Sequence, residues 1–192
     1  MAAVTAEAPP RLQPLLPGTR MTVEEFEAYP DELLDESYRY ELLAGVVCVS
    51  SAPGDLHQVA VKNLVRLLDD AVPHELVVIA AGGVVDDRSG LIPDVFLRRR
   101  QDFGDRRGRP PLVVEVLSPS TRTRDRTSKR RLYAEMGVGS YWVVDVDEPS
   151  VLVLELQPDG HYYETAEVAG DRLVAVRQPF DLTFRPVDLV TY

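Results

Sequence analysis

Pro111-Leu112-Val113-Val114-Glu115-Val116-Leu117 carries one carboxylate inside an otherwise apolar, β-branched run. A run of this kind reads as a strand buried on both faces, the pattern of a sheet covered by helices. An ionised Glu115 in that setting costs several kcal/mol unless a cation offsets it. A second acid, Asp94, lies in another short apolar run, Leu91-Ile92-Pro93-Asp94-Val95-Phe96-Leu97. The intervening charged loop centres near Gly104. If the two runs form a hairpin folded there, Asp94 and Glu115 stand roughly opposite each other, about 5 Å apart on one face. Carboxylates that close repel unless one is protonated or a cation lies between them. Oxygen donors suit Mg²⁺ or Mn²⁺ rather than zinc.

Working outward, Thr22-Val23-Glu24-Glu25 has the capping-box pattern and should open a short helix ending before Pro30. Arg39 to Val49 reads as a hairpin around Ala44-Gly45. Leu56 to Leu68 places His57, Val61, Leu64, Val65 and Leu68 at helical spacing. Strands are expected over Glu75–Ala80, Gly83–Asp86, Tyr141–Val146 and Val151–Leu156, with more β-structure at His161–Ala166 and Arg172–Val176. A helix from about Arg124 to Met136, stopping at Gly137, puts Asp125, Lys129, Leu132, Tyr133 and Met136 on one face. Lys129 then points inward and is a charge partner for Glu115. The plainer alternative is a surface pair of Lys129 with Asp125 at i,i+4. Together these elements make an α/β fold, a central mixed sheet flanked by helices.

The 192 residues are 45% hydrophobic and 27% charged, an ordinary globular composition. Residues 1–20 read as a flexible leader and 21–192 as a single domain. The leader lacks a basic start and an apolar core, so no signal peptide is expected. The lone Cys48 excludes an internal disulfide and points to a reducing, cytoplasmic location. No apolar stretch reaches membrane-span length. Net charge is −10, yet it is unevenly spread. Between Arg98 and Arg131 twelve basic residues face four acids, a local balance of +8, leaving −18 elsewhere. A basic face of that kind attracts a polyanion, and Arg98, Arg122, Arg124 and Arg126 are the expected nucleic-acid contacts. A solvated loop and helix face would give the same charge count.

Ile92-Pro93-Asp94 followed by Val114-Glu115-Val116 resembles the PD…(D/E)XK signature of restriction-endonuclease-like nucleases. Tyr40-Glu41-Leu42-Leu43-Ala44-Gly45, His57-Gln58, Glu115-Val116-Leu117-Ser118-Pro119-Ser120-Thr121, Asp125, Lys129, Tyr133, Gly137-Val138 and Tyr141-Trp142-Val143-Val144-Asp145 narrow it. Over residues 22 to 190 the chain resembles the Uma family of restriction-endonuclease-like proteins. That resemblance implies a restriction-endonuclease-like core and a metal-dependent phosphodiesterase site. It implies Asp94 and Glu115 as metal-binding acids, with the Val116 carbonyl as a third ligand to Mg²⁺ or Mn²⁺. Leu117 stands where the triplet lysine belongs, and Lys129 takes its role. Glu41 matches an additional acidic position; its alternative is a strand-edge pair with Arg39. His57 and Tyr133 are accessory candidates, each with a packing alternative: a helix-face histidine bonded inside, and a core tyrosine. The expected function is a DNA endonuclease working as a homodimer. A non-catalytic nucleic-acid-binding or regulatory module on the same scaffold is the alternative, and a partner-binding protein with a structural cation is a third.

Overall fold

The computed structural model describes residues 14–192. Its centre is a six-stranded sheet in the order β10-β9-β8-β7-β6-β3. The strands are β3 (Leu76–Ala80), β6 (Val95–Arg99), β7 (Leu112–Val116), β8 (Ser140–Asp145), β9 (Ser150–Leu156) and β10 (Tyr162–Ala169). β7 and β8 run parallel, Glu115 beside Val143; the other pairs are antiparallel. The sheet is therefore mixed, as expected. The β7–β8 crossover is helical, as a parallel pair requires.

A second sheet, in the order β2-β1-β5-β4, joins β1 (Tyr38–Leu43), β2 (Val46–Ser51), β4 (Val84–Val85) and β5 (Gly90–Leu91). β1 and β2 form the expected hairpin. Its turn, Ala44-Gly45, has positive φ at both residues (49° and 79°), the type I′ geometry that matches strand twist. α1 (Val23–Glu27) precedes this hairpin and carries the reciprocal Thr22–Glu25 capping box. Two short strands, β11 (Val174–Val176) and β12 (Leu182–Phe184), pair with each other. Arg172–Val176 thus forms a separate ribbon instead of lengthening the central sheet. A short helix, α5 (Pro186–Leu189), ends the fold.

α2 (Asp55–Ala71) covers one sheet face through Ala60, Leu64 and Leu68, all fully buried. They join Leu112, Val114, Val116, Trp142 and Val144 in the largest apolar cluster. The other sheet face packs Val113, Leu117, Tyr141 and Val143 against Leu132 and Tyr133. Those last two belong to the crossover helix. It consists of α3 (Arg122–Arg124), a π-helical turn (Asp125–Lys129) and α4 (Arg130–Glu135), and stops at Gly137 with φ 75°. The uniform 3.6-residue periodicity expected from Arg124 is thus interrupted by one wide turn.

One expectation needs correction. The Leu91–Leu97 run is not one strand. Pro93 has no N–H for a ladder bond, and Leu91 ends β5 in the small sheet while Val95 begins β6 in the large one. Asp94 sits at the junction. Of the expected leader, residues 1–13 lie outside the described residues, and residues within 14–20 make contacts with the fold. Leu15 is buried, Gly18 N–H donates to the Val47 carbonyl, and Arg20 bridges Val46. Among the described residues no helix is long and apolar enough to cross a membrane.

Candidate active site

β1 alternates its side chains across the small sheet, so Arg39 and Glu41 share one face. β7 ends in Glu115 and Val116. Its register with β6 pairs Val95 with Val114, and one further step sets Asp94 against Glu115. The π turn brings Asp125 and Lys129 inward together, both 1% exposed. A π turn inside a helix is a common mark of a functional site. Its wall side is held by Tyr141, whose hydroxyl donates to the Asp125 carbonyl over 2.8 Å.

Six charged or polar side chains from four elements and a junction meet in one cavity of about 20 Å³, room for a single water. They are Arg39, Glu41, His57, Asp94, Glu115 and Lys129, with Arg124 and Asp125 beside them. Lys129 Nζ lies 2.8 Å from Glu115 Oε1, 2.9 Å from Glu41 Oε1 and 3.7 Å from Asp125 Oδ1. Tyr133 donates its hydroxyl to the same Glu115 oxygen over 2.6 Å. Glu41 Oε1 also accepts the Ile92 N–H at 2.9 Å, and Arg124 Nη2 stands 3.4 Å from its other oxygen. Asp94 is held at both oxygens. Arg39 Nη1 donates to Oδ1 at 2.9 Å; the Val116 N–H reaches Oδ2 at 2.8 Å, and His57 Nε2 lies 3.2 Å from it.

The electrostatics follow from these contacts. Burial disfavours the charge of Asp94, but the His57 bond and charge, the Arg39 guanidinium and the Val116 N–H together hold its carboxyl down at about 2. Burial pushes Glu115 well above the usual carboxylate range; the Lys129 ammonium opposes this, while Asp125, Asp94 and Glu41 add to it. Lys129 loses solvation too, yet its acids more than offset that and keep it protonated. Burial raises Tyr133, helped by Glu115, so it remains a donor. Asp94 and Glu115, two neighbouring acids, are thus pushed apart in acidity, a pattern that marks functional sites.

The sequence placed Asp94, Glu115, Lys129, Glu41, His57 and Tyr133 as candidates, and all six belong to this network. Three pairings decide between the stated alternatives, and Lys129 points inward to Glu115 as expected. Lys129 and Asp125 are not a surface pair. Arg39 bonds Asp94, not its strand neighbour Glu41. His57 is bonded inside, as its packing alternative has it, and its partner is Asp94. Arg39 is the residue the sequence reading missed as a site member; its spacing two before Glu41 was the available signal.

The basic face is corrected. Arg98 is 5% exposed on β6, donates to the Gly83 carbonyl and stacks over Phe96 with 5.1 Å to the ring centroid. It sits in the protein rather than on a surface that meets a polyanion. Arg122 is paired with Asp145 and Asp147, and Arg126 lies 3.9 Å from Asp145. Arg106, Arg107, Arg130 and Arg131 pair with Glu27, Asp87, Glu164 and Glu135. Counting charges along the chain hid Glu27, Asp87 and Glu164, which come from other segments; Glu135 pairs with Arg131 at i,i+4. Of the expected contacts only Arg124 lines the cavity.

Hard oxygen donors from Asp94, Glu115 and the Val116 carbonyl suit a Mg²⁺-type cation, which commonly takes one or two protein carboxylates and fills its other positions with water and phosphate. Among the described residues no three His, Cys, Asp or Glu side chains converge as a ready metal cluster. Two carboxylates plus a carbonyl are compatible with both statements.

The family profile described as "Uma2: Putative restriction endonuclease" matches residues 23–187. The chain belongs to the Uma2 family. Among solved structures, it is similar to a putative nuclease belonging to DUF820 from Anabaena variabilis ATCC 29413. Identity is 20%, coverage is 88% of this chain and 97% of that one, and the TM-score is 0.71. That likeness establishes a restriction-endonuclease-type α/β fold for this Uma2 member. A weaker likeness, TM-score 0.40 at 15% identity, is to the type IIG restriction endonuclease BpuSI; it covers 64% of this chain and 15% of that one. No curated protein matches.

Proposed function

We propose that this Uma2 member is a divalent-metal-dependent endonuclease that hydrolyses phosphodiester bonds of DNA. The observation that supports it most is the placement of the Lys129 ammonium. It lies within 2.9 Å of both Glu115 and Glu41, in the cavity that Asp94 also lines. Asp94, Glu115 and the Val116 carbonyl would hold Mg²⁺ or Mn²⁺. When bound, the cation supplies Lewis-acid polarisation of a phosphate oxygen and a more acidic water. Lys129 orients the attacking water and offsets the negative charge that grows on the phosphate. Glu41 holds Lys129 from its second side, and Tyr133 fixes the Glu115 oxygen. His57 and the Val116 N–H aim Asp94. Arg124, at the rim, is the strand contact among the arginines named from the sequence.

A single domain over residues 21–192, a homodimer and a cytoplasmic location belong to the same proposal; light scattering on the purified protein tests the dimer.

The decisive assay incubates plasmid and oligonucleotides with the protein and Mg²⁺ or Mn²⁺. Cleavage is expected, stopped by chelation, and reduced ~100- to 1,000-fold in Asp94→Asn or Glu115→Gln, the loss typical when charge stabilisation at the reacting centre is removed. Equal cleavage by these variants overturns the reading.

A further inference from the structure

Arg39 and Lys129 are the two cations that bond Asp94 and Glu115, and they are built differently. Lys129 is 1% exposed and faces three carboxylates, so it has nowhere else to go. The Arg39 side chain is 25% exposed and reaches inward to an Asp94 side chain that is 3% exposed. It also makes a long hydrogen bond, 3.4 Å from Nη1 to the Ile92 carbonyl. Arg39 also lines two spaces at once. One is the small acid-lined cavity. The other is an open groove of about 570 Å³ beside it, lined by Phe26 and Ile92 and also by the acids Glu27, Asp31, Asp35 and Glu36. A guanidinium placed there needs only a side-chain rotation to exchange the cavity for the groove.

We propose that Arg39 works in two positions: it occupies the cation's place at Asp94 Oδ1 while the protein is metal-free, and once a divalent cation takes Asp94 it turns outward to grip a phosphate oxygen of the nucleic-acid strand. This rests on the metal-dependent nuclease reading of the same site. Both Asp94 oxygens already take protein donors, and the Val116 N–H and His57 occupy Oδ2. A cation recruited to Asp94 therefore competes with Arg39 at Oδ1. The arriving double positive charge repels the guanidinium, and phosphate is the anion whose geometry its planar fork fits. Arg39 is in this sense a stand-in that keeps a buried carboxylate satisfied until metal arrives, then becomes a substrate contact.

Such a residue has opposite effects on its two ligands, which a purely structural residue does not. The test compares wild type with Arg39→Gln by calorimetric titration of Mn²⁺ alone. It then measures binding of fluorescein-labelled DNA and RNA oligonucleotides, single-stranded and duplex, in Ca²⁺. Arg39→Gln should bind Mn²⁺ about tenfold more tightly and oligonucleotide about tenfold more weakly, each a change of one decade in Kd. Arg39→Lys serves if the glutamine variant fails to fold. Its ammonium makes a single-point contact, and the same opposed shifts are expected at roughly threefold each. Unchanged or weaker Mn²⁺ binding in the folded variants overturns the stand-in role; unchanged oligonucleotide binding overturns the phosphate role. If wild type takes up no Mn²⁺, or takes it up equally after Asp94→Asn, this inference and the proposed function fall together. Normal uptake that depends on Asp94 but is indifferent to Arg39 sinks the inference alone.

Discussion

The two faces of β7 are made from alternate residues of one pentapeptide and are equally buried, yet they do different work. Leu112, Val114 and Val116 pack against Trp142 and Val144 on the side covered by α2. Val113 packs among Tyr133, Tyr141 and Val143 on the opposite side, and there Glu115 is inserted at 2% exposure. Each apolar side chain on the first face contributes roughly 1.5–3 kcal/mol by leaving water. The second face keeps a carboxylate that burial alone would neutralise, and holds it with Lys129 and Tyr133. Buried ion pairs at best break even against a well-packed apolar core. The first face supplies stability, and the second gives up some of it to keep charged groups together.

The largest effect expected on stability comes from breaking the second face. Lys129→Met leaves Glu41, Glu115 and Asp125 without their shared cation and should destabilise the protein by about 3–5 kcal/mol, read as a lower urea midpoint at neutral pH. Next is the first face. Leu112→Ala, fully buried, should cost roughly 2–5 kcal/mol through lost transfer energy and a cavity; the folded variant should keep its metal uptake, because Leu112 does not line the cavity.

Acid gives the third contrast. The carboxyl of Asp94 is depressed in the folded state from 3.8 to about 2. The unfolded chain therefore takes up its proton first as pH falls. The stabilisation is complete above about pH 4 and is lost as pH drops through about 2. It amounts to about 2 kcal/mol, and Asp94→Asn should flatten that part of the stability–pH curve. Smallest is Tyr133→Phe, which removes one donor from a carboxylate that keeps Lys129. About 1–2 kcal/mol is expected, with the Glu115 contact to Lys129 retained in a crystal structure of the variant.

Much of the architecture was legible. The capping box, the Ala44-Gly45 hairpin, α2 and the β7–crossover–β8 unit are each written in local periodicity and turn chemistry. The exceptions have local causes as well. Pro93 splits one apolar run between two sheets, and the π turn at Asp125–Lys129 does not announce itself in residue type. Glu115 was legible because a charge in an apolar strand demands a partner. Lys129 was legible because it falls on the apolar stripe of its helix. The partner of Asp94 was not. Arg39 lies 55 residues away, and a nearer acid, Glu41, offered a simpler local pairing. The basic face misled for the same reason: the acids that pair Arg106, Arg107 and Arg130 are remote in sequence.

By itself the chain determined which side chains had to be buried and which of those carried charge, since periodicity of 2 and of 3.6 assigns faces without knowledge of neighbours. Only the tertiary structure decided who neutralises whom. Coulomb attraction depends on distance in space, and the registers joining β1, β6, β7 and the crossover helix bring Arg39 to Asp94 and Lys129 to Glu41 and Glu115 across separations no local pattern encodes.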